Sequence, residues 1–315
     1  MRYHDTYQDI LFYKDEMIFN GQPPNQYKLE LLEFKDYDGP VNSSFLEDEQ
    51  KFFIHLHPTF FHLLLEDFGS ILSMMRKYPG RHFVLSVSDM LMSSESLKGM
   101  LDLLLEVLTE NQVKYSVIST THQGPIRINL FYYHPSRFMD KEGVDAIYGV
   151  FSKKFNTVSI PAEKKVYLSR SKVMEKNPEG LFKGQPLDKF SFTDDIRLYN
   201  EHLLVDFFSS CGFDIVVPED FETFEEQIKF FSSVKTLVST TGAGLSNMVF
   251  MKPGTTVIEL TTSLIAAGRE DVHTHYQSLA YAMDQTYISL PVMRNSYKAL
   301  EIIKKSEGLM KIVNE

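Results

Sequence analysis

Lys235 to Leu260 reads KTLVSTTGAGLSNMVFMKPGTTVIEL, and the reading of this stretch decides the fold. Its short apolar run, Thr236 to Val238, has the character of a buried strand. The chain then turns through Gly242-Ala243-Gly244 and enters Leu245 to Met251, whose apolar residues have helical spacing. Lys252-Pro253-Gly254 stops that helix, and Thr256 to Leu260 is a second strand carrying Glu259 near its end. A strand, a glycine turn and a helix start let a ligand approach the backbone, where the first helical N–H groups have no internal partner. An anion, most often phosphate, suits that geometry, and a carboxylate on the next strand can accept hydrogen bonds from sugar hydroxyls. Glycines in such a turn equally serve close packing of a helix on a sheet, and at this level both uses stay open.

Outward from this stretch the chain alternates. Downstream, a helix is expected around 270–283, a strand at 286–290 and a terminal helix near 296–313. Upstream, the spacing predicts a strand at 165–169, a helix at 195–210, a strand at 213–217 and a helix at 223–232, with 171–194 irregular and rich in Gly and Pro. An earlier block repeats the theme. Strands are predicted at 52–56, 82–87, 114–119 and 128–133, and helices at 59–77, 94–110 and 143–155, with Ser93 or Ser94 as an N-cap. Residues 1–50 show weak periodicity and turn signals, so short strands and loops are expected there. Two alternating blocks predict two doubly wound, Rossmann-like α/β domains, 1–160 and 161–292, with a boundary near 155–163 and a final segment at 293–315. Ligands of such sheets sit beyond the carboxyl ends of strands, here Leu56-His57, Ser88-Asp89, Thr120-His122, Ser169-Arg170, Pro218-Glu219, Thr240-Thr241 and Glu259-Thr262.

Composition bounds the function. The 315 residues are 43% hydrophobic and 23% charged, as in soluble globular proteins. A formal net charge of −10, with Lys and Arg scattered, argues against a nucleic-acid backbone as partner. The single cysteine, Cys211, cannot close an intramolecular disulfide and reads as core. Charges interrupt every apolar run of MRYHDTYQDILFYKDE, and Phe60 to Leu65 is too short to span a bilayer. A cytoplasmic protein without an integral membrane segment is the expectation.

Gly242-Ala243-Gly244-Leu245-Ser246-Asn247 matches the start of a dinucleotide fingerprint, yet Asn247 stands where a third small residue belongs, and Glu259 comes early for a ribose acid. Asp36-Tyr37-Asp38 has the letters of a metal-binding Asp-x-Asp but lies in the turn-rich leader. His273 and His275 alone are too few for zinc. No resident metal or cofactor is expected.

A longer series points to one family. Ser169-Arg170 follows a strand, and Arg197-Leu198-Tyr199-Asn200-Glu201 opens a helix. Gly212-Phe213, Pro218-Glu219 and Phe224-Glu225-Glu226-Gln227 come next, then Gly242-Ala243-Gly244-Leu245-Ser246-Asn247, Pro253-Gly254 and Val257-Ile258-Glu259-Leu260. In this order and spacing the series resembles the C-terminal half of glycosyltransferase family 61, best over about 164–290. Phe61-His62-Leu63-Leu64-Leu65-Glu66 resembles that family's aromatic-His-x-x-x-acid segment. One departure is Thr241, where the family usually has His before Gly-Ala-Gly.

The resemblance implies a GT-B fold and an inverting, metal-independent hexosyl or pentosyl transfer from a nucleotide-sugar, usually a UDP-sugar, to a glycan or other hydroxyl acceptor. It also implies that the first domain is acceptor-side, that the second binds the nucleotide-sugar, and that the terminal helix crosses back toward the first. A guanidinium and a helix end can stabilise the departing diphosphate. Arg170 is the candidate cation, with the amides of Gly242, Ala243, Gly244 and Leu245 as the candidate helix end. Ser169, Arg197, Asn200, Thr241 and Asn247 complete the candidate donor set, with Glu259 for sugar hydroxyls and Val217 and Glu219 bordering the base. Arg197 and Asn200 could instead shape their loop or cap their helix. Inversion needs a base from the opposite face. His62 and Glu66, four apart on one helix face, are the first candidates, Asp89 is the rival, and His57 and His122 come after. Two other readings stay open on the sequence: a nicotinamide-dependent oxidoreductase, and a catalytically silent sugar-nucleotide or glycan-binding protein.

Overall fold

The computed structural model describes residues 10–13, 16–19, 51–119, 126–128, 141–170, 200–261, 270–292 and 296–314. Contacts divide the chain into two units, Met1–Ile147 and Tyr148–Glu315, the division falling within the helix Lys141–Lys154.

In the first unit, β1 (Ile10–Tyr13) and β2 (Glu16–Phe19) form an antiparallel pair. β3 (Lys51–His55), β4 (His82–Val87) and β5 (Lys114–Ser119) form a parallel sheet in sequential order. β6 (Ile126–Ile128) pairs with β2, and residues beyond it in the expected strand 128–133 lie outside the described ones. His55 stands opposite Ser86 and Val87 opposite Ser119, so the carboxyl ends of β3, β4 and β5 meet along one edge. The helix Glu95–Glu110 starts at Ser94, whose hydroxyl accepts from Leu97 N–H at 3.5 Å. It buries Leu97, Met100, Leu101, Leu104, Val107 and Leu108, the three-four spacing of one helical face.

The helical stretch between β3 and β4 departs from expectation. His62–Phe68 is π-helical, and only Gly69–Lys77 is an α-helix. Leu63 through Phe68 are all buried, Glu66 and Asp67 included, so a one-sided amphipathic stripe does not govern this turn.

In the second unit, β7 (Lys164–Leu168), β8 (Asp214–Val216), β9 (Val234–Thr240), β10 (Thr256–Thr261) and β11 (Thr286–Pro291) form an all-parallel sheet in the order β11-β10-β9-β7-β8. β9 is buried along its length except at Lys235, as a central strand covered on both faces must be. From β7 the chain moves outward to β8, then returns to lay β9 on the other side of β7. The strand order therefore reverses between β7 and β9, and the crevice at that reversal is where open α/β sheets hold ligands. The helix Phe224–Ser232 is capped by Thr223, whose hydroxyl accepts from Glu226 N–H at 3.1 Å, and it buries Gln227, Ile228 and Phe231.

Two further expectations are corrected here. The segment after the glycine turn is a 3-10 helix, Ala243–Phe250, not an α-helix. Leu245 through Phe250 are buried on every side, so apolar spacing marks no face, and the Asn247 side chain donates back to Gly244 O at 2.8 Å, supporting the tighter winding. The terminal helix is two helices, Ser296–Lys305 and Glu307–Asn314. Ser306 separates them, its hydroxyl accepting from Leu309 N–H at 3.3 Å as an N-cap does. Ala299, Ile303, Leu309 and Val313 join Tyr167 and Phe208 in the core of the second unit, and Lys165 Nζ donates to Val313 O at 2.9 Å.

Among the described residues no helix is long and apolar enough to cross a membrane. Asp36, Asp38, His122 and Arg197 lie outside the described residues.

Candidate functional site

The crevice between β7 and β9 is built from the strand-end residues read in the sequence. Ser169 N–H donates to Val216 O at 2.8 Å, tying the end of β7 to β8, and Ser169 is buried. Arg170 follows it, and its guanidinium lies against Gly242 at the end of β9: a Cβ added at 242 would collide with Arg170 Nη1. Gly242 has φ 163° and ψ 170°, extended backbone open to any residue. The glycine at 242 thus leaves room for the guanidinium in its present position and is not called for by the backbone conformation. Gly244 is looser, since a Cβ there would meet Leu168 Cδ1 and Pro218 Cγ at 3.6 and 3.8 Å, ordinary contacts.

Glu201 sets the backbone at this cation. Its Oε1 accepts from Arg170 N–H and from the Tyr167 hydroxyl, both at 3.1 Å. Burial pushes its carboxyl up, and the Arg170 N–H, the Tyr167 hydroxyl and the Arg170 charge draw it part of the way back. Asn200, just before, is exposed with φ 56°, and its carbonyl accepts from Leu203 N–H at 3.0 Å. It shapes the entry to the helix His202–Ser210, the structural use foreseen for it.

The turn itself is fixed from several directions. Gly242 O accepts from Leu245 N–H at 3.0 Å and from the Tyr276 hydroxyl at 2.6 Å. The Leu245 amide is thus engaged, which removes it from the outward-pointing set expected of a helix end; the Ala243 and Gly244 amides have no partner among the described residues. Asn247 is fully buried, accepting from Gln227 Nε2 at 2.6 Å and donating to Gly244 O, so it holds the turn from beneath.

Glu259 takes a different part from the one expected. It is 0% exposed, with Oε1 accepting from Thr241 Oγ1 and Oε2 from the Tyr287 hydroxyl. With both oxygens engaged inside the sheet, it braces the end of β9 instead of presenting a free carboxylate to a sugar. Burial and the neighbouring Glu259 push the Tyr287 hydroxyl well above the ordinary tyrosine range, so it stays a donor. Val217 is half-buried and Glu219 exposed at the start of the short 3-10 turn Pro218–Asp220, beyond β8.

The first unit carries a second constellation. His62 Nδ1 lies 2.7 Å from Glu66 Oε2, the pairing that the four-residue spacing predicts. His57, in the loop leaving β3, has Nδ1 at 2.9 Å from Asp67 Oδ1, and its N–H donates to Asp67 Oδ2 at 2.6 Å. The two imidazoles are neighbours, with centroids 5.1 Å apart and planes tilted by 33°. A carboxylate can only accept, so each Nδ1 is the donor. For His57, burial opposes the charged ring, but the Asp67 charge and hydrogen bond, with a smaller contribution from Glu66, raise its pKa above the ordinary histidine value. Burial likewise pushes the Asp67 carboxyl up, with His57 holding it back. The pair titrates as a unit and retains its proton more strongly than in water. Asp89 begins the short helix Asp89–Ser93 after β4, on the same sheet edge as His57.

Asp67, Glu201, Tyr276 and Tyr287 carry no signal in the sequence that singles them out for these contacts, although Glu201 stands in a quoted motif. Among the described residues no group of three His, Cys, Asp or Glu side chains is placed to hold a metal ion.

Comparison with protein families places the chain among the glycosyltransferases. The match is to Glycosyltransferase 61 over residues 60–258, well over half of the chain, and the chain belongs to that family. It takes in His62, Glu66, Arg170 and the glycine turn, and stops one residue before Glu259. Glycosyl transfer implies a sugar donor and an acceptor, and the nicotinamide reading is set aside. Comparison with curated proteins finds no match.

Proposed function

We propose that this glycosyltransferase is an inverting enzyme of GT-B type that takes a UDP-sugar without a metal ion and transfers its sugar to a hydroxyl of a glycan or related acceptor. The reading rests above all on Arg170 against Gly242 at the strand-order reversal of the second unit. A guanidinium beside a backbone turn whose Ala243 and Gly244 amides have no partner among the described residues suits a diphosphate, whose charge grows as the sugar leaves. Thr241, Glu259 and Tyr287 keep the strand end in place beneath it.

In the transfer, the acceptor oxygen attacks the anomeric carbon from the face opposite the diphosphate. The new C–O bond forms as the bond to the diphosphate oxygen breaks, and the hydroxyl proton passes to a base. His62, with Nδ1 held by Glu66, is that base in our reading, its Nε2 the receiving atom. Arg170 meets the charge left on the nucleoside diphosphate.

The test is calorimetric titration of the protein with UDP, with uridine and with NAD, each with and without EDTA. UDP binding that survives EDTA and exceeds that of uridine supports the reading. Loss of UDP binding on chelation would overturn metal independence.

A further inference from the structure

We propose that Glu201 is a positioning residue for the sugar donor: its carboxyl fixes the backbone of Arg170 at the end of β7, so that the guanidinium lies against Gly242 and stays available to the diphosphate of a nucleotide-sugar. The inference rests on the reading that Arg170 meets the diphosphate.

A strand end and a helix start converge on this carboxyl. Glu201 stands at the N-cap of the helix His202–Ser210, a place where a side chain ordinarily accepts from its own helix. Glu201 makes no such cap bond and is turned to β7 instead. There its Oε1 accepts from the Tyr167 hydroxyl and from Arg170 N–H, both at 3.1 Å, and the Ser169 side chain is a further hydrogen-bond partner. One carboxyl thus holds donors from three of the four residues 167–170.

Which part of Arg170 it holds is decisive. A carboxylate beside an arginine ordinarily takes the guanidinium itself, often through two parallel N–H···O bonds. Glu201 takes the backbone N–H, and among the described residues the Arg170 guanidinium makes no hydrogen bond or salt bridge. Arg170 is half-buried, and its Nη1 stands where a Cβ at 242 would begin. A cation set into a crevice without a carboxylate on it suits an anion arriving from solvent, because a carboxylate already bound there would compete with phosphate.

Burial narrows the choice further. Glu201 is 7% exposed and Tyr167 0% exposed. A carboxyl withdrawn from water to this degree costs stability unless its hydrogen bonds are made, and an apolar side chain of the same volume would often serve the fold as well or better. What the carboxyl adds is a fixed place for the Arg170 backbone at the strand-order reversal, where ligands of such sheets bind. Glu201 acts on the donor only through Arg170.

The experiment is calorimetric titration of the full chain and of its Glu201→Gln, Glu201→Asp, Glu201→Met and Thr223→Ala variants with UDP and with uridine. Each variant is first checked for a cooperative thermal transition. Gln keeps the length and an accepting oxygen but loses the charge. Asp keeps the charge but falls short by one methylene, and Met keeps neither. Glu201→Asp and Glu201→Met should lower UDP affinity by about tenfold and leave uridine affinity within about twofold, since the guanidinium–phosphate contact is the one that loses its geometry. Glu201→Gln should stay within about threefold of the unaltered chain for UDP, a rescue by reach without charge. Thr223→Ala removes the cap of the helix Phe224–Ser232, and should lower Tm while leaving the ratio of UDP to uridine affinity unmoved. Glu201→Asp carries the test if Glu201→Met does not fold. An unmoved ratio in Glu201→Asp, or a ratio that falls as far in Glu201→Gln or in Thr223→Ala, overturns the proposal, and UDP binding by the unaltered chain then leaves the donor reading standing. No UDP binding by the unaltered chain overturns both.

Discussion

The guanidinium of Arg170 occupies the space where a side chain at Gly242 would begin. This relationship joins the ends of β7 and β9 across the strand-order reversal, and it explains a glycine whose backbone angles ask for none. Gly242→Ala should therefore act as an arginine mutation. The methyl group would displace the guanidinium, and if Arg170 meets the diphosphate as proposed, a charge-assisted contact worth about 1.5–3 kcal/mol is lost. UDP affinity measured by calorimetry should fall roughly tenfold or more in Gly242→Ala and similarly in Arg170→Ala, with uridine affinity little changed. Equal losses for UDP and uridine would place Arg170 away from the diphosphate.

The Thr241–Glu259–Tyr287 network should be visible as stability. Tyr287→Phe removes one hydroxyl from a fully buried carboxyl group, and Thr241→Val removes the other. Hydrogen bonds to such a group contribute about 1.5–3 kcal/mol each, and Glu259 is fully buried. Denaturant titration should show losses in that range for each, and a double variant that departs from the sum because both act on one carboxyl. A Tyr287→Phe protein of unchanged stability would show that Glu259 finds another partner.

Much of this arrangement was legible before the fold was in hand. Thr236 to Leu260 contains a strand, a turn and a strand that fall within β9 and β10, each observed strand running one or two residues further, because central parallel strands are short unbroken apolar runs between breakers. The order of strand ends then brought Arg170 and Gly242 under consideration together. What was not legible depends on packing across distance. Tyr276 reaches Gly242 from 34 residues away and Tyr287 reaches Glu259 from 28, and no local pattern links such pairs. The burial of Glu259 was equally hidden, since a carboxylate in an apolar run reads the same whether it faces a ligand or two hydroxyls. The 3-10 winding of Ala243–Phe250 escaped because a segment buried all round has no periodic face. Asp67 escaped because its partner lies ten residues back, beyond the four-residue spacing that identified His62 and Glu66.

The His57–Asp67 pair makes stability depend on pH, and the sign is fixed. Both groups have raised pKa values in the folded chain, so over their titration ranges the folded state binds more protons than the unfolded one. Stability then falls as pH rises. The histidine contribution is fully present below the ordinary value of about 6.5 and is lost as pH climbs through the raised value. The difference in Tm between the unaltered chain and Asp67→Asn should accordingly shrink or turn against the unaltered chain from about pH 6 to pH 8.5. A difference that does not change over this window would mean that the pair exchanges no proton on unfolding.

The base assignment is tested by three substitutions in the first unit. His62 is oriented by Glu66, so His62→Ala removes the receiving atom and Glu66→Gln removes the group that holds its tautomer. Each should lower turnover by about a hundredfold, with UDP affinity unchanged if the donor sits at Arg170 and the glycine turn as proposed. Asp89 starts the short helix beyond β4, one strand over from the loop bearing His57, and is the competing acid. Asp89→Asn should retain turnover within a few-fold if the His62 imidazole carries the proton. Loss of transfer in Asp89→Asn, with His62→Ala and Glu66→Gln still active, would make the strand-end aspartate the base. Glu66→Gln separates a further case: a fall in kcat smaller than that of His62→Ala would show that Glu66 aligns the ring that takes the proton.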